Sequence, residues 1–421
     1  MSRHIFFLAT LFLLPLTSCG EKAVAHEPTP LIVHSEVVAA EVFLPTYDEM
    51  MWFGLQIETE NHVLAIHEPA EGTFLGAYID RDIASGSIRS FETNIGVNHA
   101  IFAHTMMLGD EYPLRWVLEN IAAMKMPLIV LMPPIDSAWD DIELLTEFAY
   151  EAGRFDIPMF VNLYPILEGH GFTPLEYISF FQEAHGTFAE YAPNVALVWG
   201  FDAHSLSIST QFFPKTDFVD WVHLMIHDNV DAQGEFGDFF AHIYSFHSAF
   251  QQETPLMVSL AVSHYTLENN RYFIHEAAAR IDYIYNRLQQ YPRIRAVIYR
   301  NYNDLQGRGN KYIINSAQEI SEAYALVTAL PHFSATVMSG NRDNETAILR
   351  LHSPFMAVMH NSRFYIPKQA LMHDVNFAYL ELLQGKEIEI EGELFYSMAD
   401  IHRILGMDFF VDMAREILVL R

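Results

Sequence analysis

The sequence predicts an α/β protein with a (β/α)8 TIM barrel and a small C-terminal α+β domain. From Gly72 to Asp304, short apolar runs rich in β-branched residues alternate with longer stretches of helical period. These runs are almost uniformly apolar, as in parallel strands that helices cover on both faces. Eight of them fit a closed barrel. The alternative, a doubly wound open sheet, usually has a Gly-rich phosphate turn after its first strand, and Gly76-Ala77-Tyr78 is not such a turn.

The predicted strands are short apolar runs bounded by polar or turn residues, and they cover residues 73–79, 99–106, 128–132, 159–163, 196–200, 221–226, 256–261 and 296–301. The helices between them are predicted at residues 83–91, 113–124, 138–153, 174–191, 203–211, 235–251 and 270–290. The pattern is weakest for 203–211. A further helix at about 310–327 is predicted to link the barrel to the C-terminal part.

The first residues predict a secretory signal. Arg3 and His4 precede an apolar run over 5–16, which is shorter than the ~20 residues that span a bilayer. Residues 16–19, Leu-Thr-Ser-Cys, resemble a bacterial lipobox. The resemblance implies cleavage before Cys19, a lipid on its sulfur, and an extracytoplasmic protein anchored to the cell membrane, as in Gram-positive bacteria. A plain signal peptide is the alternative. Cys19 is the only cysteine, so the chain has no internal disulfide.

The net charge of the chain disfavours some classes of binding partner. The chain carries 24 Lys and Arg against 53 Asp and Glu, a net charge of -29. Such a surface repels nucleic-acid phosphates, so we expect no nucleic-acid partner. Anionic glycans and anionic lipid headgroups are repelled for the same reason, whereas a neutral polysaccharide is tolerated. Solubility alone also explains an acidic surface.

The chain divides into five predicted parts. A signal peptide at 1–18 precedes a tether and N-terminal extension at 19–71, the barrel at 72–308, a helical linker at 309–339 and an α+β domain at 340–421. The last part reads as a small strand, a Gly turn, a strand into a helix, Leu-Gly and closing strands. This order resembles the copper amine oxidase N-terminal-like domain. Its histidines show no metal-ligand spacing, so we expect no copper: His352, His360, His373 and His402.

Two segments of the barrel resemble the mannanase-type enzymes of glycoside hydrolase family 26. They are Pro193-Asn194-Val195-Ala196-Leu197-Val198-Trp199 and the run 213–222, Phe-Pro-Lys-Thr-Asp-Phe-Val-Asp-Trp-Val. The resemblance implies a retaining glycosidase with a glutamate acid/base after strand four and a glutamate nucleophile at the end of strand seven. Retaining glycosidases need these two carboxyl groups about 5–5.5 Å apart.

Neither family glutamate is present at its aligned position. Anchoring on Phe160-Val161 and Gly169 places Ile166 at the acid/base position, and Glu168 falls where the family has asparagine. In the run 254–264, Leu260 occupies the nucleophile position.

Other aligned positions have changed as well. Asn162 stands where the family has arginine, and His227 stands where it has the tyrosine that supports the nucleophile. We interpret the joint changes as a degenerate, non-catalytic barrel with a binding or scaffolding role.

Two other hypotheses stay open. An active glycosidase would need relocated carboxylates at strand ends, where acids also commonly cap helices; the candidates are Asp80, Glu168, Asp202, Asp228 and Glu268. A structural envelope protein would have its barrel filled by bulky side chains, such as Tyr164, Phe172 and Met225.

Four residues are candidates for ligand binding. Trp199 and Trp221 match the family motifs and are expected to pack in the core or to form a sugar-stacking floor. Asn162 and His227 are candidates because they replace family site residues.

We expect no metal or cofactor. His223, His227 and Asp228 would share a face on a helix, but this segment is predicted as a strand, and no HExxH motif is present. No G-x-S-x-G elbow points to a serine hydrolase.

Overall fold

The structure is a computed structural model that describes residues 50–80, 82, 86–133, 142–164, 173–203, 210–304, 309–336, 346–374, 382–413 and 415–421. These residues belong to one compact unit, Thr46–Arg421. The predicted signal peptide and the lipidation site, Cys19, lie outside the described residues, so both stay predictions.

In the described part of the chain, eight parallel strands close into a barrel. β1 (Met51–Val63) precedes them and belongs to a second sheet. The barrel strands are, in order, β2 (Thr73–Tyr78), β3 (Ile101–Met107), β4 (Met126–Met132), β5 (Met159–Leu163), β6 (Val195–Asp202), β7 (Trp221–Asp228), β8 (Leu256–Val262) and β11 (Ile294–Arg300). β11 pairs with both β8 and β2, which closes the barrel. The predicted fold class is confirmed, and every predicted strand overlaps one of these eight.

Helices pack around the barrel and alternate with its strands. Their bounds are α1 (Ile88–Ile95), α2 (Leu114–Ala122), α3 (Ile142–Gly153), α4 (Pro174–Tyr191), α5 (Phe239–Phe250), α6 (Ile274–Leu288) and α7 (Gln318–Thr328). α4 begins at a capping box in which Thr173 accepts from the backbone of Glu176 and Glu176 accepts from that of Thr173. The predicted helix at 203–211 is described only near its end, where Thr210–Phe212 forms a 3-10 turn. No helix in the described ranges is long and apolar enough to cross a membrane.

The predicted helical linker is α7, the helix that follows the eighth strand of the barrel. α7 buries Ile320, Tyr324 and Val327 in the same hydrophobic cluster as the other barrel helices. The Tyr324 hydroxyl also lies 3.0 Å from Nε2 of His99 in the interior. After α7, the short strand β12 (Phe333–Ser334) pairs with β2. The barrel unit therefore extends beyond residue 308, because closure needs one more helix to cover β11 and β2.

The second sheet has seven described strands in the order β15-β16-β14-β13-β1-β18-β17. Its C-terminal members are β13 (Thr346–His360), β14 (Arg363–Pro367), β15 (Ile388–Ile390), β16 (Glu393–Ser397), β17 (Phe409–Asp412) and β18 (Ile417–Leu420), with helices α8 (Lys368–Asp374) and α9 (Met398–Leu405). The remaining two described strands, β9 (Tyr265–Thr266) and β10 (Arg271–Tyr272), form a hairpin after β8.

β1 lies in the part of the chain that was predicted as a tether and N-terminal extension. It lies inside the second sheet, antiparallel to β13 and parallel to β18, and it buries Phe53, Leu55 and Ile57. The second sheet is therefore built from both ends of the described chain. Its C-terminal part runs from β15 through the turn at Gly392 to β16, α9 and the closing strands β17 and β18.

The segment between β1 and β2, residues 64–72, packs across the N-terminal end of the barrel. The carbonyl of Ile66 accepts from Nε1 of Trp221 at 2.8 Å, and Nε2 of His67 donates to the carbonyl of Asn194 at 2.8 Å. Glu68 forms ion pairs with Arg293 and Arg295 beneath the barrel. Because these contacts cover the N-terminal end of the barrel, we expect a ligand site at the C-terminal end, as in other TIM barrels.

Candidate functional site

Strand pleating decides which side chains face the barrel interior, since successive residues point to opposite sides. On β7, Trp221, His223, Met225 and His227 face inward, and Leu224 packs toward the helices. Side chains at the C-terminal ends of the strands surround the opening of the barrel. We call this opening the mouth and define it by Tyr78, Asp202, His227, Arg300 and Tyr302.

The residue aligned with the family nucleophile does not face the mouth. Leu260 is fully buried in the cluster that the strands form with the helices. Its inward neighbours on β8 are Ser259 and Ala261. The pleat of the strand thus turns the Leu260 side chain toward the helices. Neither inward residue carries a carboxylate, so the described end of β8 offers no nucleophile of the family type.

The acid/base position cannot be described in the same way. Ile166 and the fallback acid Glu168 lie outside the described residues. Phe172, a predicted filler of the barrel, lies outside them too. Tyr164 and Met225, the other predicted fillers, are both present at the C-terminal end of the barrel, and Met225 is buried.

A buried polar layer crosses the middle of the barrel. Nδ2 of Asn162 donates to Nδ1 of His223 at 2.9 Å, and Nε2 of His223 lies 2.7 Å from Oγ of Ser259. An amide nitrogen can only donate, so Nδ1 accepts and Nε2 carries the proton of the neutral ring. Burial, together with the charge of Arg300, lowers the pKa of His223 to about 3.

This layer resembles a hydrolytic triad in residue type but not in function. His223 donates to Ser259, so it does not act as a base toward the hydroxyl. Asn162 and His223 are also fully buried. Asn162, predicted to bind ligand, is therefore a packing residue. Gly200 leaves room for it, because a Cβ there would lie 2.3 Å from Nδ2 of Asn162.

His227 is the predicted ligand-binding residue that the structure places at the mouth. Its side chain is 24% exposed, and Nε2 lies 2.6 Å from the hydroxyl of Tyr302. Nδ1 lies 3.8 Å from Oδ2 of Asp202. Burial raises the pKa of Tyr302 to about 12, so the phenol stays protonated at neutral pH. The arrangement places the imidazole between the hydroxyl of the buried Tyr302 and the part-exposed carboxylate of Asp202.

Arg300 is a mouth residue that the sequence reasoning missed. Its guanidinium lies 4.9 Å from the ring centre of Tyr78 and 5.5 Å from that of Tyr302. Nη1 lies 3.1 Å from Sδ of Met225, a weak acceptor. Within the described ranges, no carboxylate forms an ion pair with Arg300 at 4.0 Å or less. A signal was available, because polar residues at the C-terminal ends of barrel strands are commonly functional.

The candidate acids are scattered. Asp202 lies at the mouth with 32% of its side chain exposed. Asp80 accepts from the backbone of Thr105 and pairs with His104. Asp228 points away from the interior and pairs with Arg280 on α6. Glu268, the remaining fallback acid, is exposed in the hairpin of β9 and β10.

Trp199 and Trp221, which were expected to pack in the core or to form a sugar-stacking floor, are both core residues. Trp199 is fully buried among Phe201, Phe213 and Phe250 on the helix side of β6. Trp221 is fully buried inside the N-terminal end of the barrel, where its indole donates to the backbone. Neither ring can stack on a ligand, because no face is accessible.

No metal centre is apparent within the described residues, where no group of three or more His, Cys, Asp or Glu side chains could hold an ion. His223 and His227 do lie on a strand, as predicted, so they are roughly 13 Å apart along its axis.

No protein-family model matches the chain, and no curated protein matches it. Solved glycoside hydrolase structures are similar to it. An endo-β-1,4-mannanase double mutant from Cellulomonas fimi aligns at 13% identity with a TM-score of 0.47, over 68% of this chain and 80% of that one. A family 26 β-mannanase from Bacteroides ovatus aligns at 11% with a TM-score of 0.44, over 65% and 92%. Fungal β-1,4-galactanases align at 9% with a TM-score of 0.45, over 60% and 99%.

Proposed function

We propose that the protein is a non-catalytic, glycoside-hydrolase-like barrel that binds a neutral polysaccharide at its mouth. In this proposal the chain is a surface lipoprotein held at the membrane by a lipid on Cys19. Its role is to bind or scaffold a glycan rather than to cleave it.

The observation that carries the proposal is the absence of a carboxylate on the inward side of the end of β8. Ser259 and Ala261 occupy that side, and Ser259 is already bonded to His223. A retaining reaction needs an attacking carboxylate at about 5–5.5 Å from the acid. Without it, the family's covalent intermediate cannot form at this position.

The mouth keeps the side chains that hold sugars. Arg300 lies over the buried rings of Tyr78 and Tyr302 and supplies several donors in a planar fork. Asp202 and His227 supply an acceptor carboxylate and an imidazole next to it. A sugar with vicinal hydroxyls can both donate and accept there.

The test combines binding with turnover. We expect the full chain, in detergent, to be retarded in native gels that contain galactomannan or mixed-linkage glucan, and to release no reducing ends from either. Arg300→Gln should weaken the retardation. Turnover that disappears in Glu168→Gln or in Asp202→Asn would overturn the proposal in favour of an active glycosidase with relocated carboxylates.

The anchor has its own test. The full chain expressed in a lipoprotein-processing bacterium should partition into the detergent phase of a nonionic detergent, and Cys19→Ser should move it to the aqueous phase. Aqueous partitioning of the unchanged chain would support the plain signal peptide.

A further inference from the structure

A second concave surface lies on the flank of the barrel. Two adjoining cavities of about 950 and about 610 Å³ share the lining residues Tyr244, Tyr283, Arg287 and Tyr291. Together they form one groove, which we call the flank groove. It runs between α5 and α6 and ends against the second sheet at Trp52.

The flank groove is separate from the mouth. In a (β/α)8 barrel the helices run antiparallel to the strands, so the C-terminal end of α6 lies at the end of the barrel opposite the mouth. The groove follows α6 from Arg280 to Arg287, ~10 Å along the helix axis, and continues to Gln289 and Gln290. No residue that defines the mouth lines it.

Tyr283 is an exposed aromatic side chain held in a fixed orientation. Nη1 of Arg287 donates to its hydroxyl at 2.6 Å, and the guanidinium of Arg280 lies 5.4 Å from its ring centre. Phe240 packs edge-on against it at 5.5 Å. The ring is nevertheless 42% exposed. A rigid, exposed ring binds a partner at low entropic cost, because its rotamer is already selected.

Further rings continue this surface. Tyr244 is 41% exposed on α5, and Tyr291 forms the floor of the groove. Trp52 and Phe355 extend it onto the second sheet. Single exposed aromatic residues are common on proteins, but a row of them along a cavity indicates a binding surface.

The polar lining excludes a strongly charged ligand. In the larger cavity Arg287 and Arg415 are balanced by Asp282 and Glu416. This balance contrasts with the net charge of -29 for the whole chain. Asn286 adds an amide, whose nitrogen donates to Oδ1 of Asp282 at 3.1 Å. Such a lining suits a neutral ligand that offers both donors and acceptors.

We propose that the flank groove binds a neutral polysaccharide chain, with one sugar ring stacked on Tyr283. A sugar has apolar C–H faces for the rings and hydroxyls for both carboxylates and guanidinium groups. An extended peptide fits less well, because β1 and β13 are interior strands of the second sheet and offer no free edge. A proline-rich peptide lacks the N–H donors that Asp282 and Glu416 would bind.

The experiment separates this groove from the mouth. Native gels with galactomannan, mixed-linkage glucan or xylan are run with the full chain, Tyr283→Ala and Tyr283→Phe. Tyr150→Ala, a change at a tyrosine 60% exposed on α3, is the matched control. We expect Tyr283→Ala to weaken binding of at least one polysaccharide at least about tenfold, as for truncated aromatic anchors. Tyr283→Phe should retain most of it, and Tyr150→Ala all of it.

Each outcome decides between the sites. If Tyr283→Ala leaves the retardation unchanged, binding at the flank groove is overturned. If Arg300→Gln weakens that same retardation, the proposal of binding at the mouth still stands. Retardation lost in Tyr283→Ala but kept in Arg300→Gln supports the groove and overturns binding at the mouth. No retardation of the unchanged chain by any of the three polysaccharides overturns both. Binding of a proline-rich peptide that Tyr283→Ala weakens, without polysaccharide binding, overturns the sugar assignment.

Discussion

Replacing Glu68 by Gln should strongly destabilise the barrel, although the side chain keeps its size and shape. The side chains of Glu68 and Arg293 are both fully buried, and Nε of Arg295 lies 3.4 Å from the same carboxylate. Burial raises the pKa of Glu68, but the hydrogen bond from His62 and the charge of Arg293 outweigh it, so the pKa lies below its ordinary value. The carboxylate is therefore ionised at neutral pH and neutralises two guanidinium groups.

The magnitude follows from the cost of an uncompensated buried charge. Removing one partner of a buried ion pair costs about 3–5 kcal/mol, because the other charge stays in a medium of low dielectric. With an unfolding entropy of ~2.1 cal/mol/K per residue over roughly 370 residues, a loss of ~4 kcal/mol lowers Tm by about 5 °C. Glu68 also lies in the segment that closes the barrel, so this loss is expected to appear in the main transition.

Thermal unfolding followed by circular dichroism checks this expectation. The matched control is Glu183→Gln on the exposed side of α4, which makes the same chemical change without burial and should leave Tm within about 1 °C, as for most surface substitutions. A Tm for Glu68→Gln equal to that of the control would refute the reasoning, since it would mean that Arg293 and Arg295 need no buried counter-charge.

Two further expectations concern the polar layer inside the barrel. The folded-state pKa of His223, about 3, lies below the unfolded value of 6.5, so the unfolded state binds more protons and stability is lost as pH falls through that window. Between pH 7 and pH 5, denaturant titrations should therefore show a fall in the free energy of unfolding that is about 2 kcal/mol smaller for His223→Gln than for the unchanged chain. An equal fall in both proteins would contradict the burial of a neutral ring. Gly200→Ala should cost about 1–3 kcal/mol by overpacking, because its Cβ would press on Asn162, which His223 holds in place. Gly186→Ala, where a Cβ meets open space on α4, is the control and should be neutral or slightly stabilising by chemical denaturation.

Much of the barrel could be predicted because its signals are local. Apolar runs of strand length recur between helical stretches, and the start of α4 is visible in Thr173, Pro174 and Glu176. β1 could not be assigned in the same way, since its partners are distant along the chain. Glu58 on β1 pairs with Arg350 on β13 across 292 positions, and no local pattern records such a pairing.

The helix α7 shows a second kind of limit. The period of α7 was visible, but a helix that covers a barrel and a helix that links two domains have the same period. The burial of Tyr324 against His99 separates the two cases, and it depends on closure between β11 and β2.

The order of strands and helices and the acidic composition could be worked out from the amino-acid sequence, because composition and local period carry them. Two features depend on the closed barrel: the side of the strand to which Leu260 points, and the contact between Arg300 and Tyr78. Parallel strands buried on both faces are apolar at nearly every position, so their sequence has no alternation to mark the inward side. Arg300 reaches Tyr78 because β11 pairs with β2, strands that lie at opposite ends of the barrel sequence.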